Sequence, residues 1–175
     1  MPPSTARIQF SDIIESDLPD LLALDSDPEV MRYLSDGVPS TRDDYLGPDG
    51  YLSRMCAYSE VPLGYFAARV DGVFAGWFHL RPSIFDSTIP ELGYRLSRPY
   101  WNRGLATEGS RELCRWAFDD LRFGAVDACT VPENQRSIRV MQKCGMIRIG
   151  SKAHPRMEAP VEHYQVTQAA WATLA

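Results

Sequence analysis

A stretch near the middle of the chain, from Glu91 to Gly109, most constrains the fold. Residues 92–96 contain apolar and small side chains together with Tyr94, Pro99 interrupts regular structure, and a helical pattern begins after Gly104. A strand that passes through a glycine turn into a helix gathers unpaired backbone N–H groups and the positive end of the helix dipole. This turn is suited to bind a phosphate, although glycine is also common at such junctions for steric reasons alone.

A second strand and helix follow directly. Residues 125–131 are rich in apolar and β-branched types, and the next loop ends in Asn134, a residue type that caps helices well. A helix is predicted over 137–144, with Gly145 as its stop. Two strand-helix units in succession predict helices packed on a sheet.

Shorter elements are predicted along the rest of the chain, and Asp71-Gly72 indicates a hairpin. The predicted strands are 6–10, 64–70, 73–80, 92–96, 125–131, 146–152 and 163–169, and the predicted helices are 17–25, 28–34, 42–59 with an interruption at 47–50, 106–121 and 137–144. No break in composition and no internal repeat divides the chain. We therefore expect one mixed α/β (α+β) domain over residues 1–175.

Charge and composition argue against several classes of protein. With 18 basic and 23 acidic residues the net charge is −5, which disfavours nucleic-acid binding. No long apolar run or signal-peptide pattern indicates a membrane segment. The four cysteines show no paired metal spacing, so we expect reduced thiols, no metal and a cytoplasmic protein.

Two linked motifs resemble the GNAT N-acetyltransferase superfamily. They are Tyr94-Arg-Leu-Ser-Arg-Pro-Tyr-Trp-Asn-Arg-Gly-Leu-Ala-Thr-Glu108 and Pro132-Glu-Asn-Gln-Arg-Ser-Ile-Arg-Val-Met-Gln-Lys-Cys-Gly-Met146. Segments 27–34 and 39–44 resemble the opening helices of its Rim-type branch, whose namesakes acetylate the N termini of ribosomal proteins. The resemblance covers nearly the whole chain. It implies a mixed, mostly antiparallel central sheet, flanked by helices and splayed at an acetyl-CoA site.

The resemblance implies acetyl-CoA as cosubstrate. Its pyrophosphate would lie on the backbone amides of the glycine turn, its pantetheine arm would pair with the main chain of strand 92–96, and Asn134 would contact the pantetheine amides. The cofactor-binding residues are then Tyr94, Leu96, Asn102, Arg103, Gly104, Leu105, Ala106, Thr107 and Asn134. The residue type of Asn134 favours a role as helix cap, beside which this contact is the second role. The family usually has Gln or Arg where this chain has Trp101, which removes one polar contact and leaves the amides.

The resemblance also implies an acid that protonates the departing CoA thiolate. Many members use a tyrosine seven positions after the asparagine of the second motif, and that position here is Met141. We expect Ser137, where the Rim-type branch also tends to have serine, to serve instead, directly or through water. Its alternative role is to satisfy the N-terminus of the helix. Because the pKa of a thiol is near ordinary pH, a missing acid need not abolish transfer.

Three candidates exist for the base that takes a proton from the attacking ammonium. Glu91 is the first, because acids of the superfamily often lie at the start of this strand and act through ordered water. His79 on the neighbouring strand is the second. Glu162 and His163, which enter the last strand, are the third.

The expected activity is acetyl transfer from acetyl-CoA to a primary amine by direct attack in a ternary complex. The acceptor is a protein N-terminus or a small-molecule amine. The alternative is a CoA-binding sensor or interaction domain that has lost turnover, as Met141 and Trp101 would suggest. Since the branch often forms dimers, a homodimer is a further expectation.

Overall fold

Seven strands form one sheet in the computed structural model, which describes residues 1–34, 37–56, 63–155, 157 and 159–174. The strands are β1 Gln9–Asp12, β2 Gly64–Val70, β3 Val73–Pro82, β4 Pro90–Leu96, β5 Ala125–Thr130, β6 Ile147–Lys152 and β7 Val161–Thr167. The helices are α1 Leu18–Asp25, α2 Pro28–Met31, α3 Arg42–Leu46, α4 Tyr51–Cys56, α5 Leu105–Arg115, α6 Gln135–Lys143 and α7 Gln168–Trp171. The end of the predicted helical region, 57–59, lies outside the described residues.

The sheet has the order β1-β2-β3-β4-β5-β7-β6 and is antiparallel except between β4 and β5. The predicted hairpin at Asp71-Gly72 joins β2 to β3, with φ of 52° and 78° at the two turn residues. Both values lie in the left-handed region that two-residue hairpin turns require. The expected mixed, mostly antiparallel sheet flanked by helices is confirmed.

Helices cover both faces of the sheet because side chains alternate along each strand. On one face, here the α1–α4 face, Ala67 and Trp77 pack with Leu21, Tyr45 and other apolar residues of α1 to α4. On the other, the α5–α6 face, a larger core joins the strands to α5 and α6; its members include Phe78, Leu92, Leu113, Val126, Ile138 and Met141. Each face therefore has its own apolar core.

The sheet divides in the middle. Strands β4 and β5 run parallel and share one paired position, Glu91 with Asp127, whereas β3 and β4 remain paired from Pro82–Pro90 to Gly76–Leu96. Along residues 92–96 the two central strands have diverged, which is the predicted splay. A strand edge is thereby left open beside α5 and α6.

Several strand boundaries differ from the predicted ones by one to three residues, and side-chain hydrogen bonds explain two of these differences. The first strand begins at Gln9 instead of Ala6, because the Thr5 hydroxyl accepts hydrogen bonds from the backbone N–H groups of residues 7 and 8. The last strand ends at Thr167 instead of Ala169, because the Thr167 hydroxyl caps a helical turn by accepting from Ala170 N at 3.2 Å.

The predicted helix over 106–121 begins at Leu105 and continues beyond Arg115 as a wider π-helical turn over Trp116–Asp120. Within the described ranges, no helix has the length and apolar character needed to cross a membrane. No group of three or more metal-ligating side chains forms a metal site among these residues either.

Candidate functional site

A cavity of about 830 Å³ extends from the α1–α4 face of the sheet to the gap between β4 and β5. Nearly all of the site residues expected from the sequence line it. Those that do are Glu91, Tyr94, Leu96, Asn102, Gly104, Leu105, Ala106, Thr107, Asn134 and Ser137. Arg103, in the same turn, does not line the cavity. The structure thus brings the two sequence motifs and the central glutamate to one place.

The glycine turn has the geometry that anion binding by backbone amides requires. Asn102 and Gly104 adopt positive φ values of 57° and 80°, and Gly104 is the N-terminal cap of α5. The first hydrogen bond of the helix runs from Glu108 N to Gly104 O at 3.0 Å. The N–H groups of Leu105, Ala106 and Thr107 precede that bond, so the helix ladder does not use them. They form the N-terminal edge of an 11-residue helix that is positive by its dipole.

Arg103 belongs to the turn through its backbone. Its carbonyl oxygen accepts a hydrogen bond from Arg7 NH1 at 2.9 Å. Its own guanidinium lies over the ring of Tyr100, 5.6 Å from the centroid. Arg103 is therefore engaged with protein groups and is not among the residues that line the cavity.

Trp101 makes its own contacts in place of the polar residue usual in the family. The indole N–H donates to the carbonyl oxygen of Leu96 at 2.6 Å. The guanidinium of Arg136, from the first turn of α6, lies 5.2 Å from the centroid of the Trp101 ring. The carbonyl at the end of β4 thus already has a donor, which leaves its second lone pair for a ligand.

Asn134 caps α6, as one of its two expected roles requires. Its side-chain oxygen accepts from Ser137 N at 3.2 Å, and its amide donates to Thr130 Oγ1 at 3.1 Å. Both contacts fix the first turn of α6 against the end of β5. The Ser137 hydroxyl takes no part in this cap, because the backbone N–H of Ser137 is the capped group.

Tyr94 stands beside Ser137, a feature that the motif did not indicate. Burial raises the pKa of the Tyr94 phenol to about 12, and a hydrogen bond with the Ser137 side chain acts in the opposite direction. The phenol is therefore protonated at neutral pH. Alternation along β4 places Tyr94 with Leu92 and Leu96, and this pattern was the available signal that its ring lies on the α5–α6 face.

Glu91 is buried, with 5% of its surface exposed. Its Oε1 accepts from Arg81 NH2 at 2.6 Å and lies 3.8 Å from His79 Nε2. Burial alone would raise the pKa of the carboxyl, but the interactions with His79 and Arg81 outweigh it and lower the pKa to about 2. The other oxygen, Oε2, has no hydrogen-bond partner within the described part of the chain. The ionised carboxylate thus keeps one unsatisfied acceptor atom, which is itself buried beneath the cavity surface.

His79 lies in an aromatic surround on the same face. Its ring stacks on Trp77 at 5.6 Å and meets the edge of Tyr65 at 5.0 Å. The opposing position on β4 is Gly93, and a Cβ atom there would lie 2.5 Å from Nε2 of His79. A larger residue at position 93 would therefore displace the imidazole.

Glu162 and His163, the third choice for the base, do not line the cavity. Glu162 pairs with Arg148 and accepts from Ser151 Oγ at 2.6 Å. His163 Nε2 lies 3.1 Å from Asp127 Oδ2. Of the three candidates, the structure brings Glu91 and His79 to the cavity.

The cavity wall on the α1–α4 face holds a buried ion pair that the sequence did not indicate. Asp25, which is fully buried, pairs with Arg95 and accepts from the Tyr45 hydroxyl at 2.8 Å. Burial and the charge of Asp25 raise the pKa of Tyr45 well above its usual value. The guanidinium of Arg95 also lies over the Trp77 ring, 5.0 Å from the centroid. Alternation from Glu91 through Gly93 was the one sequence signal that Arg95 faces this wall.

A family model described as an acetyltransferase (GNAT) domain matches residues 7–147. Among curated proteins, the FsC-acetyl coenzyme A-N(2)-transacetylase of Aspergillus fumigatus is 30% identical over 95% of this chain and 76% of its own.

Solved structures share the fold. An acetyltransferase of the GNAT family from Bacillus anthracis superimposes with a TM-score of 0.78 at 22% identity, covering 97% of this chain and 99% of that one. The spermidine N-acetyltransferase from Vibrio cholerae, solved with CoA and spermine, gives a TM-score of 0.77 at 14% identity, covering 96% of this chain and 99% of the other.

Proposed function

The chain belongs to the GNAT family of acetyltransferases, and we propose that it transfers the acetyl group of acetyl-CoA to a primary amine by direct attack in a ternary complex. The supporting observation is one continuous cavity. The free amides of the glycine turn, the start of α6 and the ionised Glu91 all border it. Donor and acceptor could then meet beside Glu91, where β4 and β5 begin to diverge.

The donor would enter along the open edge of β4. In this proposal the pyrophosphate lies on the amides of residues 102–107, and the pantetheine arm extends beside Tyr94 and Leu96 toward Asn134. The Leu96 carbonyl takes part through its second lone pair, since Trp101 uses the first. Acetyl-CoA is the cosubstrate of the family, and the Vibrio cholerae structure holds CoA.

The main role of Glu91 would be to bind and orient the amine, and acting as its base would be secondary. A carboxylate with a pKa near 2 is a weak base, but its charge and free Oε2 favour an ammonium group or a bridging water. The proton lost on attack would pass through that water to solvent or to His79, which borders the same cavity. Ser137, backed by the protonated Tyr94, would donate a proton to the departing thiolate.

The acceptor is proposed to carry its amine on a group of low net charge. On the acceptor side, Asp25 is paired with Arg95 and Glu91 with Arg81, so the two acids are balanced by two bases. The same wall carries several aromatic side chains, together with the charged Glu29 and Arg32 nearer the surface. Such a wall favours a peptide N-terminus or a small amine with carbonyl groups over a polyamine, since neither Asp25 nor Glu91 is free of a basic partner to receive an added ammonium.

Relatives and the sequence motifs point to three classes of acceptor. The fungal relative is named for transfer to an N(2) amine, and the spermidine enzyme for a polyamine. The Rim-type motifs indicate a protein N-terminus. All three classes belong in a test.

The test measures thiol release from acetyl-CoA with a panel of peptides, amino acids, polyamines and aminoglycosides. We expect release above the amine-free rate for at least one peptide or amino-acid amine, with weaker use of polyamines. The Glu91→Gln variant should raise KM for that amine. If CoA bound tightly in calorimetry and no amine in the panel gave release, the proposal would be wrong.

A further inference from the structure

The N-terminal segment is bonded to the glycine turn through a network that neither sequence motif contains. Arg7 Nε donates to Glu108 Oε2 at 2.7 Å, its NH2 forms an ion pair with the same oxygen at 2.5 Å, and its NH1 donates to the Arg103 carbonyl at 2.9 Å. The Thr5 hydroxyl donates to Glu108 Oε1 at 2.5 Å, and Arg7 N donates to the same oxygen at 3.1 Å. One arginine therefore joins the first turn of α5 to the loop that precedes it.

This network fixes one peptide group of the turn. A peptide unit is planar and trans, so its carbonyl oxygen and the following N–H point in opposite directions. Because the Arg103 carbonyl is directed to Arg7, the N–H of Gly104 is directed to the other side of the peptide plane. Gly104 at a φ of 80° has no side chain to restrict that plane, and rotation would otherwise be easy.

The guanidinium of Arg7 is already committed to protein acceptors. Two of its three nitrogens contact Glu108, and the third contacts the Arg103 carbonyl. Burial would raise the pKa of the Glu108 carboxyl, but its bonds to Thr5 and Arg7 hold it below its usual value, so the pair is ionised and neutral overall. The geometry is that of a brace, and differs from that of an arginine that faces a phosphate.

We propose that Arg7, held by Glu108 and Thr5, is a positioning residue that orients the peptide between Arg103 and Gly104 for the pyrophosphate of acetyl-CoA. This inference rests on the proposed function, because it assumes that the pyrophosphate lies at this turn. It adds a specific requirement: the residues that set affinity for the diphosphate include one from the start of the chain.

The first test replaces Glu108 and asks whether the affinity for CoA rises or falls. Removing a negative charge near the turn would strengthen diphosphate binding if only the electrostatic field mattered. If Glu108 instead holds Arg7 in place, Glu108→Gln releases Arg7 and should weaken CoA binding. The expected loss in calorimetry is about tenfold, as for loss of a charge-assisted hydrogen bond. Glu112→Gln, one turn further along α5 and paired with Arg115, is the matched control and should not weaken it.

Variants of Arg7 test the geometry of the brace. Arg7→Lys keeps the charge but cannot bond both acceptors at once, so it should lose nearly as much CoA affinity as Arg7→Ala. The Arg7→Ala and Glu108→Gln effects should not add in the double variant, because either change breaks the same network. Full affinity in Arg7→Lys would mean that charge alone matters and would overturn the proposal.

A truncated donor separates positioning from general damage. S-acetylpantetheine lacks the pyrophosphate, so kcat/KM for this donor should be equal in wild type and Arg7→Ala, while kcat/KM for acetyl-CoA falls about tenfold. Equal losses for both donors would show that Arg7 is only structural. If the wild type bound CoA but released no thiol, the proposed function would fail and the CoA affinities would still decide the role of Arg7. If the wild type did not bind CoA, both proposals would be wrong.

Discussion

At the scale of single residues, Glu91 is defined by its neighbours. Arg81 and His79 hold the carboxylate in its charged form despite burial, and the usual pKa of 4.5 falls to about 2. A carboxyl whose pKa is lower in the folded chain stabilises that chain at every pH above the unfolded value, and this contribution is lost as the pH falls through the folded value. The relevant window is therefore pH 4.5 to 2.

Replacement of Glu91 by Gln should destabilise the protein at neutral pH by on the order of 3 kcal/mol, because the buried Arg81 loses its partner. The gap in the free energy of unfolding between wild type and variant should narrow as the pH falls from 4.5 toward 2. Denaturant titrations at several pH values measure this difference in the free energy of unfolding. Glu133→Gln, on an exposed loop, is the control. A gap independent of pH would mean that the neighbours do not hold Glu91 ionised.

Ser137→Ala should lower kcat by about a hundredfold. It should cost only about 1 kcal/mol of stability, from the lost hydrogen bond with Tyr94, since Asn134 caps the helix through the backbone N–H of residue 137 and not through its hydroxyl. Ser137→Thr keeps a hydroxyl and should recover part of the rate. Steady-state kinetics with acetyl-CoA measure both. An acetyl thioester with a more acidic thiol should reduce the loss in Ser137→Ala; an undiminished loss would exclude the serine as an acid.

The sequence predicted these residues unevenly. Asn134, Ser137 and the glycine turn follow from cap and turn chemistry, which acts over a few positions. The contacts of Glu91 with Arg81, and of Asp25 with Arg95 70 residues away, depend on strand register and helix packing.

The family pattern indicated only what Trp101 lacks. It predicted the loss of a polar side chain at this position, but it carried no information on the contacts that the indole makes instead. The Trp101 N–H bonds the carbonyl of Leu96, five residues back, and the geometry of the intervening loop determines that contact.

At the scale of elements, α5 is held close to the sheet by a glycine. A Cβ atom on Gly109 would lie 2.5 Å from Cζ of Phe78, a fully buried ring on β3. The N-terminus of the same helix carries the glycine turn. Its distance from the sheet is thus coupled to the position of the cofactor amides.

Gly109→Ala should destabilise the protein by about 1–3 kcal/mol through overpacking against Phe78. It should also weaken CoA binding, because α5 must move away from β3. Thermal unfolding and calorimetry test the two effects. Gly124→Ala is the control, since a Cβ atom there meets nothing within 4 Å. If Gly109→Ala were as neutral as Gly124→Ala, the close approach of α5 would not be required.

Sequence patterns predicted most elements because hydrophobic alternation and turn glycines are local signals. They missed boundaries set by hydroxyl groups. Thr5, just before the predicted first strand, and Thr167, inside the predicted last strand, each accept hydrogen bonds from nearby backbone N–H groups and limit the extended conformation there. The first of these errors concealed the segment that bonds to α5.

At the scale of the whole molecule, the sheet consists of two parts joined in its plane at Glu91 and Asp127. In the sheet, β7 lies between β5 and β6. It therefore pairs with β5, although α6 and β6 separate the two strands along the chain. Periodicity does not specify such pairing, so the sequence alone could indicate a splayed sheet only through its resemblance to a family. That residues 1–175 form a single domain, and that the protein dimerises, stay predictions.

Acetyl-CoA in the gap should contact both parts of the sheet and stabilise the folded chain. At about 100 times its Kd a ligand that binds only the folded state adds about 2.7 kcal/mol to the free energy of unfolding. Hydrogen exchange should slow most in residues 92–96 and 130–137, which face each other across the gap, with β1 and β2 as internal references. No greater slowing in these two segments than in β1 and β2, among amides that exchange by local opening, would argue against a cofactor in the gap.

The contacts of Trp101 have an optical consequence. Its indole is polarised by the Leu96 carbonyl at one edge and by the Arg136 guanidinium over its face. Any molecule that enters the gap changes the field at this chromophore, so the emission of the unlabelled protein should shift on CoA addition. Trp101→Phe should remove most of the shift and leave only the contribution of Trp77, which lines the same cavity. A substitution that departs from the family pattern thereby gives this enzyme an intrinsic fluorescent reporter of cofactor occupancy.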